Sequence, residues 1–112
     1  MPTQKYCLAL DLKDDTTLMN EYKAYHQNVW PAIIKSIKDA GITVLDIYNV
    51  GNRMFMIIEA NEDFSFERKS TMDAGNNTVQ EWEALMWKFQ QALPGAAPGQ
   101  KWMLMEKIFQ LP

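Results

Sequence analysis

The chain has 112 residues, 47% hydrophobic and 22% charged, which is material for one globular domain (1–112) and too apolar for a disordered chain. Eleven Lys and Arg against fourteen Asp and Glu give a net charge of -3, which excludes a nucleic-acid backbone as the main partner, since that needs a basic face. A single cysteine, Cys7, and a single histidine, His26, exclude an internal disulfide, CxxC sites and the common zinc arrangements.

The first residues, Met1 to Tyr6, lack the apolar stretch of a signal peptide. The longest apolar run, Met54 to Ile58, falls far short of the roughly 20 residues that span a bilayer. A cytoplasmic location without membrane contact is expected. From Lys5 to Leu12 the residues alternate, with Tyr6, Leu8, Leu10 and Leu12 on one face, which predicts a first strand. The N-cap residues Asp14 to Thr17 open a helical stretch that runs to Ala40 and stops at Gly41. Pro31 lies inside it, and a ring that removes the amide hydrogen and crowds the preceding turn predicts a break near Val29 and Trp30.

Ile42–Val50 and Met54–Ala60, joined by Gly51-Asn52, read as a hairpin. Asn61–Asn77 is less regular, with a short helix starting near Asp63–Glu67. A helix with a Thr78–Glu81 capping box is expected over Thr78–Leu93, where Val79, Trp82, Leu85, Met86, Phe89 and Leu93 recur at spacings of three and four. After a Pro- and Gly-rich loop, Trp102–Phe109 reads as the fourth strand. The order βαββαβ is α+β and ferredoxin-like: an antiparallel sheet with helices on one face. The other face is expected to form a ligand cavity, pack on a second copy, or do both, and the four Trp, four Tyr, five Phe and eight Met supply surface for it.

Tyr22, His26 and Trp30 lie four residues apart on one helical stripe, giving a phenol, an imidazole and an indole on one face. By pattern alone a lone histidine there is more often a hydrogen-bonded boundary residue between core aromatics than a catalyst. Trp82 and Phe89 share a face of the last helix, and Trp87, well round from Trp82, could line a pocket, an interface or a loop. Glu59 and Glu106 sit in strands beside apolar residues; a carboxylate there could orient a histidine or accept sugar hydroxyls, with a solvated strand edge as the default. Gly-rich phosphate loops, GxSxG and HExxH are absent, and Cys7, on a strand without a nearby base, reads as a structural thiol.

Glu21-Tyr22, His26, Trp30-Pro31, Gly41, Tyr48, Phe55–Glu59, Trp87–Pro94 and the closing Phe109-Gln110-Leu111-Pro112, in that order and spacing, resemble the L-rhamnose mutarotase family. The resemblance implies a dimeric ferredoxin-like α/β barrel that interconverts the anomers of a 6-deoxy sugar without metal or organic cofactor. It places the family's proposed proton donor on His26 and its substrate-binding tyrosine on Tyr22, so His26 is the expected general acid/base and Tyr22 is expected to position the substrate or act as the second proton-transfer group. Trp30, Glu59 and Trp87 join them as expected substrate-binding residues, Trp87 as a pocket wall. Two positions depart from the family pattern: Leu45 stands where a tyrosine is common, and Met86 replaces the first of a Trp-Trp pair. Losing a phenol and an indole moves the expected substrate from L-rhamnose toward a related monosaccharide such as L-fucose. An imidazole, which exchanges protons near neutral pH, suits the opening and closing of a hemiacetal. A non-catalytic ligand-binding or regulatory domain, or an oxygenase, could use the same dimeric scaffold, and each predicts that His26 is dispensable for anomer exchange.

Overall fold

Period-two alternation sets the central strand. In the computed structural model, which describes residues 3–112, β1 (Gln4–Leu12) buries Leu8, Leu10 and Leu12 on one face and leaves half-buried Cys7 and Ala9 on the other. The expectation about the chain's start rests partly on Met1 and Pro2, which lie outside the described residues. β1 pairs antiparallel with β3 (Arg53–Ala60), from Gln4 opposite Ala60 to Asp11 opposite Arg53. β3 in turn forms a hairpin with β2 (Ile42–Val50), closed by the turn Gly51-Asn52 with Gly51 at φ +57°. A register shift between Ile42 and Val44 brings Leu45 and Ile47 opposite Ile58 and Met56 on the inner face.

The helical stretch after β1 splits as Pro31 requires. α1 (Thr16–Tyr25) starts on Asp15, whose Oδ1 accepts from the Leu18 amide at 3.0 Å. α2 (Pro31–Asp39) restarts with proline in its first turn, where the missing amide hydrogen costs nothing. Gly41, at φ +98°, turns the chain from α2 into β2.

The second connection is also in two pieces. α3 (Phe66–Ala74) starts on Ser65, whose Oγ accepts from the Arg68 amide, so the irregular stretch holds a full helix. α4 (Asn77–Trp87) differs from expectation at both ends. Its cap is Asn76, whose Oδ1 accepts from the Thr78 and Val79 amides at 3.1 and 3.2 Å; Thr78 is therefore inside the helix and the Thr78–Glu81 box does not form. The helix stops at Trp87 rather than Leu93 because the free edge of β1 captures the next residues: Lys13 donates to the Phe89 carbonyl at 2.8 Å, and β4 (Gln90–Gln91) pairs with Leu12 and Asp11.

The expected strand over Trp102–Phe109 is shortened to β5 (Met103–Leu104), opposite Ala9 and Leu8. The Met105 amide also donates to the Cys7 carbonyl, and beyond it the chain pairs with no strand among the described residues. The sheet order is β2-β3-β1-β4, with β5 also on β1: the antiparallel α+β arrangement expected. The helices cover one face, where Leu10, Leu12, Met54, Ile33, Val79 and Met86 form the main core. On the uncovered face Arg53 donates twice to the carboxylate of buried Asp11, at 2.8 and 3.1 Å.

Candidate active site

The short helices α1, α2 and α4 do not close over the sheet. A cavity of about 670 Å³ lies between them and the inner face. Its wall includes Tyr22 from α1 and His26 from its C-cap, Ile33 from α2, Leu45 from β2, Met56 from β3 and Val79, Trp82 and Met86 from α4, with Gln90 and Trp102 closing it. Of the alternatives expected for the uncovered face, a ligand cavity, a second copy or both, the first is not what this cavity shows: the concave, mostly apolar space is mainly on the helix side, with Asp46 and Tyr48 of the edge strand β2 also on its lining. A second cavity of about 170 Å³ shares Tyr22 and His26 with the first.

His26 sits at the C-terminal end of α1, and its amide donates to the carbonyls of Tyr22 and Lys23 at 3.3 and 3.1 Å. Its ring Nδ1 lies 2.8 Å from the Tyr22 carbonyl oxygen. A carbonyl only accepts, so Nδ1 carries the hydrogen, and in the neutral ring Nε2 keeps its lone pair. The imidazole is further held by ring contacts to Tyr22 (centroids 4.3 Å apart, 34° tilt) and Trp82 (5.8 Å, 63°). One helical turn thus supplies both an imidazole with a lone pair on Nε2 and the backbone group that orients it.

Tyr22 is buried, and its Oη accepts from Gln90 Nε2 at 3.1 Å. Burial pushes the phenol's pKa up, and the Gln90 bond offsets part of that rise. The sign for stability follows. Below about pH 10 the phenol is protonated in both folded and unfolded chains; above it the unfolded chain sheds the proton first, binds fewer protons, and stability falls as pH rises. The expected result is a melting temperature that declines between about pH 9.5 and 11, with a smaller decline in Tyr22→Phe. Paired thermal melts check this, and equal slopes would show that Tyr22 ionises as freely as an exposed tyrosine.

Of the residues singled out in the sequence, Tyr22, His26, Leu45, Tyr48 and Met86 line the large cavity. Trp30 stands behind its wall, capping α2 and meeting Trp82 edge-on at 5.0 Å. Trp87 is not on the wall: one residue past Met86 it is turned about 100° round the helix, is exposed, and lies under Lys101 Nζ at 5.3 Å. Glu59, opposite Lys5 and Val44, belongs to the uncovered face of the sheet, away from His26. Trp82, Gln90 and Trp102 were not anticipated as wall residues. Trp82 could have been found from Met86, four residues away on the same helical face. Gln90, four residues past Met86, falls on that same face if the helix is continued to Leu93, but it is the pairing of β4 with Leu12 that turns it inward. Among the described residues no group of three His, Cys, Asp or Glu comes together, and no helix is long and apolar enough to cross a membrane.

Fold and site define a small α+β protein with an imidazole and a phenol on the wall of one mostly apolar cavity beneath an antiparallel sheet. The family model for L-rhamnose mutarotase matches residues 5–111, and the chain belongs to that family. It is 44% identical over 113 residues to the L-fucose mutarotase of Xanthomonas campestris pv. campestris, an alignment covering 99% of this chain and 90% of that protein. Its fold is similar to the crystal structure of the L-rhamnose mutarotase of Formosa agariphila, with TM-score 0.71, 20% identity, and 97% and 99% of the two chains covered.

Proposed function

We propose that the protein is a mutarotase that interconverts the α and β anomers of a 6-deoxy-aldose, with L-fucose as the favoured sugar and L-rhamnose as the related alternative. The observation that carries this reading is the His26–Tyr22 pair: Nδ1 is committed to a backbone carbonyl, leaving Nε2 free in the cavity that Tyr22 also lines. Nε2 accepts the proton of the anomeric hydroxyl while the Tyr22 phenol donates to the ring oxygen, and the bond between the anomeric carbon and the ring oxygen breaks. Rotation about the first carbon–carbon bond presents the other face of the aldehyde. Reclosure then returns both protons, so nothing is consumed. Trp82 and Met86 offer apolar surface to the sugar's C–H groups. The aliphatic Leu45 in the wall, together with the similarity to an L-fucose mutarotase, supports L-fucose over L-rhamnose.

Saturation-transfer NMR of L-fucose, L-rhamnose and other aldoses tests the reading. Enhanced exchange is expected for L-fucose first, and no enhancement on any sugar would overturn it.

The working form is a homodimer. The uncovered sheet face carries Val44, Tyr48, Val50, Phe55 and Ile57, and the closing segment adds Ile108, Phe109 and Leu111, which are 89%, 73% and 80% exposed. Apolar residues of this number on an uncovered face, together with an apolar extension past the end of β5, fit a second copy. Sedimentation equilibrium should give twice the chain mass for the wild type and the chain mass for Tyr48→Glu with residues 108–112 removed; a monomeric wild type would overturn the dimer. The lone, unpaired thiol of Cys7 is consistent with a cytoplasmic setting.

A further inference from the structure

Gln90 is a buried polar residue, 6% exposed, and the strand β4 explains where it points. It lies opposite Leu12, a core residue, so its side chain belongs to the inner face and lines the large cavity. Its Nε2 donates to Tyr22 Oη at 3.1 Å. A phenol that accepts on one side still has its own hydrogen to place, and the space left for it is the cavity. Among the described residues the Gln90 Oε1 has no hydrogen-bond partner, yet no fully buried side-chain oxygen or nitrogen there lacks one. Oε1 therefore faces accessible space, and for a residue so deeply set that space is the cavity.

We infer that Gln90 is a positioning and specificity-determining residue: its amide NH₂ fixes the Tyr22 phenol as a donor toward the cavity, and its carbonyl oxygen accepts a hydroxyl of the bound sugar. The inference rests on the mutarotase reading and deepens it. A site built to hydrogen-bond a hydroxyl rejects sugars that lack it or carry it on the wrong face, because the buried amide oxygen is then left unpaired. Leu45 and Met86 cannot supply that discrimination. Gln90 can.

The test compares wild type, Gln90→Leu and Gln90→Glu. Gln90→Leu puts an apolar side chain of similar size in its place and is expected to lower kcat/KM for L-fucose about tenfold to hundredfold and to narrow the gap between L-fucose and other aldoses. In Gln90→Glu the ionised carboxylate accepts the phenol's own hydrogen and turns it away from the sugar; the protonated acid can donate again. Its exchange rate relative to wild type is therefore expected to rise as pH is lowered. His26, Asp46, Tyr48, Lys69, Glu83 and Lys101 also line this cavity and are common to both proteins, so the ratio isolates position 90. Wild-type rates and selectivity in Gln90→Leu, or a ratio independent of pH in Gln90→Glu, would overturn the inference. A wild type without exchange on any sugar would instead sink the functional reading. The Gln90–Tyr22 bond is then decided by NMR titration of ring-labelled tyrosine, in which the Tyr22 phenol must ionise at higher pH in Gln90→Leu than in wild type; an unchanged titration overturns it.

Discussion

Replacing His26 with alanine is expected to lower the enhanced anomer exchange by about 10²–10⁴-fold, the range usually lost with a general acid or base. The fold should survive. His26 is half-buried at a helix end, and its side chain contributes one hydrogen bond to a carbonyl, worth about 0.5–1.5 kcal/mol net. The loss should fall mainly on kcat, because Trp82, Met86 and Gln90 still form the wall that holds the sugar. His26→Asn adds a sharper control. It can keep a donor near the Tyr22 carbonyl but offers no basic nitrogen to the cavity, so it should be as slow as the alanine variant. Saturation-transfer NMR on folded protein reads both variants, and full activity in either would assign the proton transfer elsewhere.

The second large effect is structural. Gly41→Ala is expected to cost about 2–4 kcal/mol, since two penalties act together. At φ +98° an L side chain is strained, and an added Cβ would stand 2.6 Å from Asn61 Oδ1 and 3.1 Å from the Phe64 amide nitrogen. Asn61 has little room to give way: its amide donates to the Gly41 carbonyl at 2.9 Å and its Oδ1 accepts from the Asp63 amide at 2.9 Å. The substitution pushes the end of α2 away from the turn that seats buried Phe64. Urea unfolding measures the loss, and a change below about 0.5 kcal/mol, the usual range for unremarkable surface positions, would show that the turn moves freely.

Local chemistry made most of the architecture legible. The alternation of Leu8, Leu10 and Leu12, the Gly51-Asn52 turn and the Pro31 break each act within a few residues, and the structure carries all three. The errors lie where a distant partner decides. Phe89 to Leu93 keeps helical spacing, but the edge of β1 draws Gln90 and Gln91 into a strand, and backbone pairing overrides periodicity. Trp102–Phe109 has strand composition, but among the described residues its pairing with β1 extends only over Met103 and Leu104 and one further bond from the Met105 amide. The site divides the same way. Tyr22 and His26 were visible because one helical turn joins them. Trp87 falls off the cavity wall because a single residue's rotation separates it from Met86, and the Gln90–Tyr22 bond is not legible because it depends on a strand that local pattern conceals.

The Tyr22–Gln90 hydrogen bond spans 68 positions of sequence and exists only once β4 has docked on β1. The pair His26 and Tyr22 can form as soon as α1 does, but the phenol is oriented only by the closing strand. Long-range closure of this kind is slow compared with helix formation. In a refolding reaction, helical signal should therefore return first and anomer exchange last, which makes catalysis a reporter of the final step of folding.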